Sequence, residues 1–261
     1  MSTVDEARDQ APIRPDPFGA ARDAAGDAVG AARKQAGAAR EAASAAAQKL
    51  SQRPRLRGVS HQWAFFVSLL TGAVLIVAAS TPRETIAMAI YAFSLSALLG
   101  TSALYHRVTW EPGPRRWMRR LDHTMIFVLI AGTYTPFALM VLRGTLADVI
   151  LISVWALAAA GAVFNLIWWD APKWVTSAVY LSTGWVAIAA LPQLWEEIGP
   201  VGVGMIALGG LLFTAGAVVY ARRRPDPRPD VFGYHEIFHL LVIVAAAVQY
   251  AAVAIYVLPA G

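Results

Sequence analysis

The chain has 261 residues, of which 57% are hydrophobic, 15% charged and none cysteine, and its formal net charge is +5. Soluble domains run about 45–50% apolar and about 25% charged, so this balance argues against an ordinary cytosolic enzyme. The missing thiols exclude disulfides, thiolate metal sites and cysteine nucleophiles.

Residues 1–57 hold 10 of the 22 Lys+Arg and 7 of the 17 Asp+Glu. They are rich in Ala, Gly, Arg, Asp and Gln, and from residue 19 to 50 almost no large apolar side chain occurs. Such a segment has helix-forming composition but cannot bury a core, so it reads as a disordered or loosely helical cytoplasmic tail. It lacks the apolar stretch of about 7–15 residues of a signal peptide, and the first hydrophobic span is expected to act as the insertion signal.

From residue 58 to 261 the pattern is that of an all-α integral membrane protein. Seven apolar runs are long enough to cross a hydrocarbon core of about 30 Å as helices. They cover residues 61–80, 85–105, 121–142, 146–167, 175–191, 201–220 and 237–258. Turn chemistry separates them, as in Thr81-Pro82, Trp110-Glu-Pro-Gly-Pro114, Trp169-Asp-Ala-Pro172 and the Arg/Pro-rich stretch 222–229. Six of the nine tryptophans (110, 117, 168, 169, 174 and 195) fall at span ends, where an aromatic belt would put them. Thirteen Lys and Arg residues lie on the side that includes Arg53, Arg107, Lys173 and Arg222, against Arg83 and Arg143 on the other. Positive-inside topology therefore makes the N-terminus cytoplasmic and the C-terminus external, and it accounts for the basic residues better than a nucleic-acid partner does.

Ionisable residues inside a membrane cost about 2.5–3.5 kcal/mol each on insertion scales, so each requires a reason. His106 closes the second span in Ser102-Ala-Leu-Tyr-His106, Asp122 and His123 open the third, and His235, Glu236 and His239 lead into the seventh. All of these ends lie at the predicted cytoplasmic face. Ser102 and His106 are i,i+4 neighbours on one helical face, and so are His235 and His239. Two imidazoles at that spacing form a half-site for Zn²⁺, which a third histidine and a water complete; imidazole alone also suits iron, copper or nickel. Asp122 could orient or deprotonate the water, and Ser102 could hydrogen-bond it or a developing oxyanion.

The remaining polar residues have plainer readings. His61 reads as a headgroup-level polar residue. His123 projects about 100° away from Asp122 and is placed in an outer shell or at the interface. His235-Glu-Ile-Phe-His239 matches the H-E-x-x-H pattern in which Glu is a general base, but Glu236 points off the ligand face and ranks below Asp122. Pro136, in Ala131-Gly-Thr-Tyr-Thr-Pro136, should kink the third span. Tyr134 lies about 18 Å further along that helix than Asp122 and serves packing or a cavity, at most as an outer-shell group. Asn165 and Gln249 are expected to make interhelical hydrogen bonds.

These four motifs, Ser102 to His106, Leu121-Asp-His123, Ala131 to Pro136 and His235 to His239, resemble the hemolysin III family. It is the bacterial branch of the progestin and adipoQ receptors, which include the adiponectin receptors. The resemblance covers about residues 55–260. It implies a seven-transmembrane-helix bundle in the bacterial inner membrane, with zinc held near the cytoplasmic side by His106, His235 and His239 and a water near Asp122 and Ser102. Alkaline ceramidases of the wider superfamily use a similar Ser, Asp and three-His set on a lipid amide.

Two functions follow as expectations. One is a zinc-dependent hydrolase of a lipid amide or ester, with membrane lipids or a fatty-acyl compound as substrate, Asp122 as proton carrier and Ser102 at the oxyanion. The other is a membrane-homeostasis regulator or receptor in which zinc is structural. A cytolytic pore fits poorly with seven uninterrupted apolar spans, and an intramembrane protease rests on the five-residue pattern alone.

Overall fold

The computed structural model describes residues 19–51 and 54–260; residues 1–18, the first part of the expected tail, lie outside them. Among the described residues there is no strand, only one isolated bridge between Arg228 and Phe232. The chain separates into two units, Met1–Arg53 and Pro54–Gly261. In the first, α1 (Gly19–Ser51) is a 33-residue helix, whose residues 25–44 are all exposed. Its Ala, Arg, Lys, Glu and Gln content favours helix without requiring a packing face.

The second unit begins four residues earlier than the expected boundary at residue 58. Residues 54–57 join it because Arg55 N–H and Leu56 N–H donate to the carbonyls of Asp230 and Val231, each at 3.1 Å. The bundle comprises α2 (Val59–Ala78), α3 (Pro82–Arg107), α4 (Pro112–Pro136), α5 (Gly144–Ile167), α6 (Lys173–Gly184), α7 (Leu191–Arg222) and α8 (Tyr234–Ala252). Thr81 caps α3 reciprocally: its hydroxyl accepts from Glu84 N–H at 3.3 Å and donates to Glu84 Oε1 at 2.9 Å, so the buried Glu84 is satisfied at a helix start. Pro136 ends the regular part of α4. The next turn, Phe137–Val141, is π-helical, and Leu142 N–H reaches back five residues to Phe137 O at 2.8 Å.

By length and apolar content six helices among the described residues qualify to cross a membrane, against the seven spans expected. The difference lies in residues 173–222, a 50-residue helical stretch that holds two of the expected spans. Unbroken, it would be about 75 Å long, far more than a bilayer core. It is broken at Gly199, whose φ of 68° is left-handed, followed by Pro200. Ser177 Oγ donates to Ala217 O at 3.3 Å, and Trp185 Nε1 donates to Thr214 Oγ1 at 3.3 Å. Those pairings bracket Gly199, so the part of α7 after this break runs antiparallel to α6.

The two ends of the bundle differ in chemistry. Leu75, Met88, Tyr91, Val141, Val253 and Val257 fill the end distal to the histidines. Large apolar side chains such as Leu70, Val77, Phe93 and Ile152 face outward, as a lipid solvent allows. Helix approach depends on small residues. A Cβ on Gly132 of α4 would collide with the Ser94 side chain of α3. Gly132→Ala should therefore force the two helices apart at a cost of about 1–3 kcal/mol. Thermal unfolding in detergent should register it as a lower midpoint, whereas Gly204→Ala, with nothing within 4 Å of the added carbon, should leave the midpoint unchanged or raise it.

Candidate metal centre

Four helices meet at the basic end of the bundle: the starts of α2 and α8, the finish of α3 and the middle of α4, which begins nine residues before the expected third span and carries Asp122 in its interior. Their polar side chains point inward because they have no water outside to turn to. His106, His235 and His239 are all buried, and one ligand nitrogen from each lies within 4.8 Å of the others. Nε2 of His106 and Nε2 of His235 are 3.2 Å apart. Bonds of about 2.0–2.1 Å at tetrahedral angles bring two ligand nitrogens to about 3.3 Å, so this pair already has the spacing of two ligands on one ion. Nδ1 of buried His239 has no hydrogen-bond partner. The donor set, three imidazoles with a carboxylate alongside and no thiolate, fits a divalent metal of borderline character.

Asp122 is partly buried, with Oδ2 at 3.9 Å from His106 Nε2. Its carboxylate faces the Ser102 side chain, one helical turn before His106 on the buried face of α3. Glycine at position 58 keeps this corner open. It caps α2 with a φ of 77°, and a Cβ there would come within 2.6 Å of His106 Cβ. The chain can take this turn beside a candidate ligand only without a side chain.

The outer candidates separate. His123 is turned away from the three imidazoles: its Nδ1 donates to Arg119 O at 2.8 Å, and its Nε2 accepts from Tyr220 at 3.2 Å. Glu236 is buried, with Oε2 accepting from Gly233 N–H at 2.8 Å and Oε1 paired with the Arg57 guanidinium. Both oxygens are thus committed to the start of α8 and to the segment before α2, which leaves Glu236 as an anchor for the helix bearing His235 and His239. Tyr134 stands deep in the bundle, accepting from Ala187 N–H at 2.7 Å and donating to Gly184 O. Asn165 and Gln249 make interhelical bonds, to Tyr180 at 3.4 Å and to Ile206 O at 3.3 Å.

His61 was not among the expected site residues, yet it is buried and stacks on His239 with ring centroids 3.8 Å apart and planes 11° from parallel. The signal lay in the spacing of His61, Ser68, Gly72 and Leu75, which share one face of α2 and are the residues it buries. Arg57 and Lys173 are further neighbours that single-residue reasoning passed over. Lys173 Nζ donates to Tyr234 OH at 2.7 Å and so ties α6 to α8.

A cavity of about 240 Å³ leads away from the cluster. Its lining begins with His61, Ser102 and Asp122 and continues through Leu129, Phe137 and Leu194. The fifteen residues from Asp122 to Phe137 along α4 correspond to about 22 Å, so the cavity is narrow, long and apolar beyond its polar end.

Comparison with known proteins gives a consistent picture. The family profile described as "Haemolysin-III related" matches residues 50–250. Hemolysin-3 of Bacillus cereus is 31% identical over 204 residues, covering 77% of this chain and 90% of that protein. The Hemolysin-3 homolog of Bacillus subtilis is 32% identical over 173 residues, with 66% and 78% covered. The human monocyte to macrophage differentiation factor is 28% identical over 174 residues, with 65% and 70% covered.

The Arg57–Glu236 pair makes a stability prediction. Arg57→Ala leaves a buried carboxylate without its cation, a loss of about 3–5 kcal/mol for a fully buried pair; with the Arg57 side chain 20% exposed, about half that is expected. Unfolding in detergent should show the single variant less stable than Arg57→Ala combined with Glu236→Gln. Equal stability of the two would mean that the pair does not anchor α8.

Proposed function

The chain belongs to the haemolysin-III-related family, and from that membership we propose that it is a zinc-dependent hydrolase of lipid amide or ester bonds in the bacterial plasma membrane. In this reading the chain crosses seven times, with the stretches before and after Gly199 in residues 173–222 as separate crossings and the N-terminus in the cytoplasm. The observation that carries it is the grouping of His106, His235 and His239 within 4.8 Å, beside a carboxylate that faces a serine and at the end of a long apolar cavity.

His106, His235 and His239 would hold the zinc, which supplies Lewis acidity and lowers the pKa of water when bound. Asp122 has the position of a proton carrier: it takes a proton from water beside His106 and delivers it to the departing nitrogen or oxygen. Ser102, which faces that carboxylate, is a neutral hydroxyl that can turn toward an oxyanion. The apolar cavity holds an acyl chain in register with this polar end and keeps bulk water away. Glu236 is not used as the base, because Arg57 and Gly233 occupy both of its oxygens.

A second reading keeps the same ion but gives it a structural role in a membrane-homeostasis regulator. It is favoured by the contacts of His239, which faces His106 on α3 and stacks on His61 of α2, so that an ion there would clamp helices together. Elemental analysis of purified protein should find about one zinc per chain, lost in His239→Ala. Asp122→Ala should retain the zinc yet release no fatty acid from any lipid pool that the wild type cleaves. Zinc with no fatty-acid release by the wild type, and unfolding on chelation, would select the structural role. A well-folded wild type free of metal would overturn both readings.

A further inference from the structure

Beyond the imidazole cluster, on the far side of the His123–Tyr220 hydrogen bond, lies a second polar niche lined by Arg119, Arg120, Lys173, Trp169 and Asn165 together with those two residues. It brings three cationic side chains to one place. None of them makes an ion pair with a carboxylate among the described residues: Asp122 is turned to His106 and His123, and Asp170, in the adjoining turn, pairs with none of the three. Their neighbours are ring faces instead. Arg119 lies 5.6 Å from the Trp169 centroid, Arg120 lies 4.7 Å from Trp117 and 6.0 Å from Trp169, and Lys173 lies 4.2 Å from Tyr220.

Three convergent cations at the edge of an apolar bundle repel one another, and ring faces offset only part of that cost. One donor is conspicuously unused: Nε of Arg120 is buried without a hydrogen-bond partner, although such groups are ordinarily satisfied. The niche is small, about 10 Å³, so a phosphate would sit at its rim, where Trp168 and Trp169 are exposed, side chains of the type that settles at the headgroup level. Guanidinium groups with an adjacent ammonium match a phosphate in charge and in donor geometry. Basic pockets between membrane helices on the cytoplasmic side take acidic headgroups for this reason.

We infer that Arg119, Arg120 and Lys173 form a phosphate site for the headgroup of an acidic phospholipid, one in which no choline ammonium already neutralises the phosphate. The site is separate from the histidine cluster and shares only His123 and Tyr220 with the wall of the long cavity. It depends on neither reading of the metal, since its signature is lipid retention rather than turnover.

The test is a native mass-spectrometric titration of the full chain in neutral detergent with phosphatidylglycerol and, separately, phosphatidylcholine. A basic side chain near a membrane surface contributes about fivefold in affinity. Arg119→Gln, Arg120→Gln and Lys173→Gln together should therefore weaken phosphatidylglycerol binding about a hundredfold and erase its preference over phosphatidylcholine. Lys173→Gln alone should cost about fivefold, a readout that survives if the triple variant fails to fold. Arg143→Gln, which removes the exposed partner of Glu197 at the other end of the bundle, should change nothing. Inorganic phosphate is titrated in parallel. Competition at millimolar concentration supports a phosphate site with the lipid as its source, whereas saturation by phosphate far below that level assigns the site to free phosphate and overturns the lipid. Equal retention of the two lipids by the wild type, or an unchanged preference in the folded variants, would overturn the site itself.

Discussion

Inside a bundle whose outer surface is hydrocarbon-compatible, a buried polar group must find its partner in the protein or lose several kcal/mol. That constraint organises the basic end of this molecule. Five imidazoles, two carboxylates and several phenols are gathered there, and most are held by another helix; the ring nitrogens of His61 and Nδ1 of His239 are exceptions. His106 meets His235, Asp122 meets Ser102, Tyr180 donates to His123 O at 3.1 Å, and Glu236 meets Arg57. The opposite end carries Leu, Val, Met and Tyr side chains and needs shape rather than pairing.

The pairing also fixes which turn of each helix faces the centre. Residues 54–57 are tied by backbone hydrogen bonds to the loop before α8, Glu236 closes that helix's first turn, and Arg107 reaches Gln62 across α3 and α2 at 3.1 Å. The rotation of α8 about its axis follows from these anchors, and with it the direction in which the i,i+4 pair His235 and His239 points. Candidate ligands are therefore set by a surrounding layer of ordinary structural contacts. Sites that depend on ligand geometry are supported in this way more generally.

Much of this was legible in the chain itself. The apolar runs announced the helices, because lipid tolerates few charges over about 20 residues, but α4 starts nine residues and α7 ten residues before the expected spans, since their polar first turns carry no apolar signal. The i,i+4 spacings of Ser102 with His106 and of His235 with His239 placed each pair on one face. Pro136 marked where α4 loses its regularity. His61 was hidden because a histidine near a span end has the same local sequence whether it faces headgroups or a neighbouring ring. Glu236 was ambiguous because its short motif fits a general base as well as a helix anchor, and only the position of Arg57, 179 residues away, separates the two. The break in residues 173–222 was readable as Gly199-Pro200, but a hydropathy profile cannot distinguish a reversal from a bend.

Sequence alone therefore determined the all-α membrane character, the end of the bundle at which the ionisable residues collect, and which of them share a helical face. These follow from composition and period, which are local properties of the chain. Tertiary structure alone decided that three histidines from two helices converge, that His61 stacks on one of them, and that Arg57 claims Glu236. It also decided that Arg119, Arg120 and Lys173 share a niche without a carboxylate partner. Each of these is a meeting of residues far apart in the chain, set by how the helices rotate and approach, and no local pattern encodes that rotation.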